Sequence, residues 1–161
     1  MPREPWWVLD TETTGLRVED DLLEVALIGA SGETYLNSRL RTQNVLTPEA
    51  IRLHPWAANI GIDCPTFPGI YPKLARLLES APVYAFHAPF DAAALTETCR
   101  RYGLSPPRVD WRCVLKLFEK ERGFRASLST ACEIEGIALP PQRHRALIDA
   151  ELARDLLLRL L

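Results

Sequence analysis

Lysine is nearly missing from this sequence, its four cysteines are scattered, and its apolar runs are short. Apart from Lys73, Lys116 and Lys120, all of the 19 cationic side chains are arginine, and 21 Asp+Glu leave a net charge of −2. No global positive field therefore advertises a polyanion partner. Local arginine clusters such as Arg100-Arg101, Arg122/Arg125 and Arg143/Arg145 are the candidates for phosphate contact, because guanidinium binds phosphate in a bidentate fork. Cys64, Cys99, Cys113 and Cys132 lack CxxC or Cys-x-x-His spacing, which argues against a zinc site and fits reduced thiols. Neither a GxxxxGK[ST] phosphate loop nor a GxSxG elbow is present, which disfavours nucleoside triphosphatases and serine hydrolases. No apolar run approaches the ~18 residues of a membrane span. Met1-Pro2-Arg3-Glu4-Pro5 runs into an apolar strand without a leader-like segment. The expectation is a cytoplasmic protein with no membrane partner.

The composition is that of a folded domain. Hydrophobic residues make up 47% and charged residues 25% of 161 residues, which excludes a disordered tail, a coiled coil and a fibrous protein. This length suits one domain with a core that needs no disulfide or metal support. Trp6-Trp7-Val8-Leu9 is apolar on both parities and ends in a carboxylate, as a central strand covered on both faces should. Residues 22–30 and 33–40 predict a hairpin, with Ser31-Gly32 as its turn. Thr47-Pro48-Glu49 has the N-cap and first-turn proline of a helix start. Further helices are predicted over 71–79, 90–102, to about 122, over 127–135 and over 146–161. Further strands are predicted over 83–86 and 109–111. Strands interleaved with helices predict an α/β sheet covered on both faces, with no repeat and no linker, so a single unit over 1–161.

Three acidic constellations stand out. Asp10 and Glu12 alternate along a strand, so both carboxylates project from one face at the end of a buried strand. Two acids so placed repel unless a cation or a shared proton offsets them. The second constellation is Tyr84-Ala85-Phe86-His87-Ala88-Pro89-Phe90-Asp91, with Asp91 near the start of a helix. The third is His144-Arg145-Ala146-Leu147-Ile148-Asp149-Ala150. Five helical residues turn through ~140°, so a continuous helix would separate His144 from Asp149. The prolines upstream instead put His144 on a loop and Asp149 in the first turns of the last helix.

The string Val8-Leu9-Asp10-Thr11-Glu12-Thr13-Thr14-Gly15-Leu16 resembles the first motif of the DEDDh 3′→5′ exonucleases, which include the proofreading epsilon subunit of bacterial DNA polymerase III. The other two constellations are similar to that family's second and third motifs, the third carrying its His-x4-Asp signature. At the second motif this sequence departs from the usual pattern, with His87 where asparagine is common and Phe86 where histidine or tyrosine is common. Residues 46–54 resemble the family's substrate-contacting helix, although Pro55-Trp56 replaces the usual Gly-Ile. The likeness runs from Trp7 to about Leu157.

The resemblance implies a ribonuclease-H-like three-layer α/β/α fold, with a five-stranded mixed sheet containing one antiparallel strand. It implies a two-metal-ion hydrolase that releases nucleoside 5′-monophosphates from the 3′ ends of single-stranded DNA or RNA, with DNA favoured. Asp10, Glu12, Asp91 and Asp149 would hold two Mg²⁺ or Mn²⁺ ions, hard cations that select oxygen ligands. Asp10 would bridge both ions, Glu12 and Asp149 would complete the first, and Asp91 would serve the second. His144 would be the general base, its ordinary pKa of ~6.5 suiting that work. Thr13, Gly15, Leu16, Glu49, His54 and Phe90 would contact the substrate, Leu16 as a wedge against the terminal bases. Trp56 has two readings, a base-stacking platform or a packing residue. Asp110, where the family often has an acid, is given no catalytic role. Relatives include dimers and polymerase-bound subunits, so a polymerase is a candidate partner and the oligomeric state is open. The alternatives are an RNA-trimming exoribonuclease and, from another class, a non-catalytic nucleic-acid-binding or polymerase-associated module.

Overall fold

The computed structural model describes residues 4–15, 17, 19–142 and 144–161. Its sheet is built from β1 (Trp7–Thr13), β2 (Leu22–Gly29), β3 (Thr34–Arg39), β4 (Val83–Ala85) and β5 (Trp111–Cys113), in the order β3-β2-β1-β4-β5. β2 runs antiparallel to both of its neighbours, while β4 and β5 continue parallel to β1. The sheet is therefore mixed with one reversed strand, the ribonuclease-H-like architecture.

β1 is central because neither of its faces can meet water. Trp7 and Leu9 pack with α2 (Phe67–Leu78) and α3 (Ala88–Arg101) on one side. Val8 packs with Ala146, Ala150 and Ala153 of α6 (Ala146–Leu160) on the other. These three alanines let the helix approach the strand closely. The second face is completed by α4 (Val114–Arg122) and α5 (Leu128–Ile134), whose Phe118 and Cys132 pack on Leu152, Leu156 and Leu157. Trp7 is wholly buried, and its indole N–H donates to Ser80 Oγ at 3.1 Å, which removes the cost of an unpaired buried donor.

Local signals set the helix ends. Thr47 is the N-cap of α1 (Pro48–Leu53), its hydroxyl accepting from the Ala50 N–H at 3.1 Å, and a 3₁₀ turn, Pro55–Asn59, follows. Gly103 and Gly136 stop the segments after α3 and α5 with φ of +67° and +70°, a region that favours glycine. Two boundaries differ from expectation. α2 begins at Phe67, because Pro68 suits a first turn and Pro72 is accommodated within the helix, so neither proline acts as a break. β5 is Trp111–Cys113 rather than residues 109–111, because its register is set by β4, Val83 pairing with Trp111 and Ala85 with Cys113. Asp110 precedes β5 and pairs with Arg112 at 3.0 Å, at the opposite end of the strand direction from the acidic end of β1.

Candidate active site

The carboxyl end of β1 carries the site. Asp10 and Glu12 leave β1 on the face that α6 covers, and Asp149 enters from the first turn of α6. One oxygen from each of the three carboxylates lies within 4.8 Å of the others. Asp91 comes from the first turn of α3 on the opposite face, outside that tight group. The Thr11 hydroxyl, between Asp10 and Glu12 on the strand, donates to Asp91 Oδ1 at 2.8 Å. A single strand thus presents two acids to one face and the tether for a fourth to the other.

The electrostatics are those of a nest with too little positive charge. Burial, followed by Asp91, Glu12 and Asp149, raises Asp10 well above the carboxylate range. Burial and Asp149 push Glu12 up to about 8, and burial pushes Asp91 up to about 7 against the Thr11 hydrogen bond. Asp10 Oδ2 is buried and has no hydrogen-bond partner among the described residues. A buried, orphaned carboxylate oxygen among other carboxylates is a costly arrangement that a divalent cation would resolve. An all-oxygen donor set fits a hard ion such as Mg²⁺ or Mn²⁺.

Two adjoining clefts meet at this point, sharing Thr11, Phe90 and His144. The smaller, about 390 Å³, is lined by Asp10, Asp91 and Asp149, together with His87 and the Ser127 and Ser129 side of α5. The larger, about 840 Å³, takes in Glu12, Thr13, Gly15, Glu49 and His54. The site residues expected from sequence therefore converge on one connected depression, except Leu16, which lies outside the described residues. His144 stands outside α6 with φ of +59°, exposed at the junction of the clefts. His54 closes α1 and brings Nε2 to 3.8 Å from Glu12 Oε2. Burial lowers the His54 pKa, so its ring offers Glu12 little positive charge. Gly15 makes room for Asp20, whose Oδ2 would lie 2.5 Å from an added Cβ. Asp20 in turn accepts from the Thr14 hydroxyl and the Arg17 N–H, holding the loop that walls the larger cleft.

Several contributors escaped the sequence. Val45 and Leu53, 94% and 55% exposed, give the larger cleft an apolar wall. Glu24, buried in β2, accepts from Arg145 and from the Ala146 N–H; a lone charge inside Leu22-Leu23-Glu24-Val25-Ala26-Leu27-Ile28 was the available signal. The arginine clusters make ion pairs within the chain. Arg100 pairs with Glu97, Arg122 with Glu135, Arg125 with Glu119 and Arg145 with Glu24. Arg101 donates to Glu19 O, Asp20 O and Asp21 Oδ1, tying the cleft-wall loop to α3. Arg145 and Arg101 are held by part-buried carboxylates and carbonyls, while Arg100 and Arg125 make their ion pairs at the exposed surface; Arg143 lies outside the described residues. Trp56 lines neither cleft.

Known proteins share this fold. The chain is 26% identical over 158 residues to an uncharacterized exonuclease, CP81, of Escherichia phage 186, an alignment covering 89% of this chain and 81% of that protein. Its fold is similar to exonuclease X in complex with 5′ overhanging duplex DNA, with a TM-score of 0.75 and 23% identity over 96% of this chain and 90% of the other. It is also similar to the nuclease domain of 3′hExo, a DEDDh family member bound to rAMP, with a TM-score of 0.80 and 17% identity over the same shares. The sequence profile of the Exonuclease family matches residues 7–157, nearly the whole chain, and the protein belongs to that family.

Proposed function

We propose that this protein is a divalent-metal-dependent 3′→5′ exonuclease that removes nucleoside 5′-monophosphates from single-stranded 3′ ends, with DNA as the favoured substrate. The observation that carries this reading is the nest of Asp10, Glu12 and Asp149 oxygens within 4.8 Å, with Asp91 tethered beside it and His144 at the cleft junction. Asp10, Glu12 and Asp149 are the residues to hold one ion and Asp10 with Asp91 a second. Such ions would neutralise the nest and polarise the scissile phosphate. The side chains of this chain do the remaining work. Phe90, Val45 and Leu53 supply apolar surface for the terminal base, while Glu49 and His54 offer polar groups to its sugar. His144 accepts the proton of the attacking water. Water bonds to phosphorus as the bond to the penultimate 3′ oxygen breaks, and that oxygen takes a proton from solvent to become the 3′ hydroxyl of the shortened strand. The acids around the larger cleft disfavour packing further phosphates there, which suits a pocket for one terminal nucleotide.

Structural relatives solved with duplex DNA and with rAMP support a nucleic-acid substrate without choosing the sugar. The resemblance of the first motif to the proofreading subunit favours DNA, in a cytoplasmic replication or repair setting with a polymerase as candidate partner. The test is degradation of matched 5′-labelled DNA and RNA strands in Mg²⁺, Mn²⁺ and EDTA. A ladder shortening from the 3′ end only with metal, with mononucleotides carrying a 5′-phosphate, is the expected result. Faster loss of RNA would reassign the substrate to an exoribonuclease. Intact strands under every metal condition would leave a non-catalytic binding module.

A further inference from the structure

Glu24 stands directly opposite Glu12 in the β1–β2 register, where two like charges repel. Arg145 offsets Glu24: its Nε lies 3.1 Å from both carboxylate oxygens and its Nη2 donates to Oε2 at 2.6 Å. The Ala146 N–H donates to Oε1 of the same carboxylate at 2.8 Å. The two residues that follow His144 are therefore fastened to the sheet through one buried acid. His144 itself holds φ of +59°, uncommon for a residue with a side chain. The guanidinium of Arg145 also lies against an aromatic ring, its Cζ 4.6 Å from the centre of Trp56, at cation–π distance. Trp56 belongs to the 3₁₀ turn that follows α1, and its ring centre is 5.4 Å from that of His54.

We infer that Trp56 is a positioning residue: through Arg145 and Glu24 it clamps the His144 segment to the turn after the nucleotide-facing helix, so that seating the terminal nucleotide and presenting the base share one anchor. This rests on the exonuclease reading. It favours the packing role of the two open for Trp56, because a guanidinium lies over its ring and Trp56 lines neither cleft.

The experiment compares Trp56→Leu, which keeps apolar bulk without a π face, with Trp56→Phe, which restores one. The Leu variant should lose about tenfold or more in kcat on a labelled single strand, as misplacing a catalytic group does, with KM within about twofold. Its Mn²⁺-induced rise in Tm should match that of the wild type. In the protein without nucleic acid, hydrogen exchange at the Ala146 amide should quicken about tenfold in the Leu variant and return most of the way in the Phe variant. An unchanged kcat, a rise in KM in place of the fall in kcat, a lost Mn²⁺ response or failure of Phe to rescue would each overturn the clamp. A wild-type protein that degrades nothing would instead sink the exonuclease reading. The Ala146 exchange rates would still decide the clamp, unchanged rates refuting it.

Discussion

Asp10 and His144 do opposite things to the folded state, and substitution separates them. Asp10 is a buried acid whose Oδ2 has no hydrogen-bond partner among the described residues and whose neighbours are acids, so the metal-free fold is weakened by its charge. Asp10→Asn should raise Tm in EDTA by about 2–4 °C for each kcal/mol of repulsion relieved. It should also abolish both turnover and the Tm gain on adding Mn²⁺, all of which thermal scans and a strand assay would show. His144 is exposed and pairs with no acid among the described residues, so His144→Ala should leave the Mn²⁺ response intact while lowering kcat by about 10²–10⁴-fold. Equal loss of metal response and turnover would contradict the general-base role. Resemblance to the three family motifs is what isolates Asp10, Glu12, Asp91 and Asp149 in the sequence, since an acid at a strand or helix end is by itself ordinary. It does not isolate Arg145 as an internal partner, because an arginine beside a histidine on a loop reads as solvated until Glu24 is seen across the sheet.

Elements carry the geometry through their ends. α1 is short and begins on the Thr47 cap, and it places Glu49 and His54 along the larger cleft. Thr47→Ala removes the hydroxyl that accepts from Ala50 and should loosen this turn by about 1 kcal/mol, raising KM about fivefold with kcat nearly unchanged. A fall in kcat with constant KM would show that α1 serves the chemical step instead. The cap at Thr47 was legible because capping is local, a side chain bonding to an N–H three residues on. The start of α2 and the register of β5 were not, since both depend on what the segment packs or pairs with.

At the scale of the whole molecule, the cluster links stability to pH and to divalent ions. Glu12 is held up to about 8 and Asp91 to about 7, against ordinary values of 4.5 and 3.8. Below about pH 3 both carboxyls are protonated whether the chain is folded or not, and their contribution is complete. As pH rises the unfolded chain releases these protons first, so the metal-free fold loses stability until about pH 8. Tm in EDTA should therefore fall between pH 5 and 8, and saturating Mn²⁺ should flatten or reverse that slope; a metal-free Tm that rises across this window would contradict the buried-nest reading. The hairpin over residues 22–40, the alternation that sends Asp10 and Glu12 to one face, and the loop position of His144 follow from local pattern, because apolar parity, turn residues and prolines act over a few residues. Which arginines remain free for phosphate, how Asp91 is tethered through Thr11 and what Trp56 touches were decided only when the sheet and its two helical layers closed. Those contacts join residues distant along the chain, and no short-range preference encodes them.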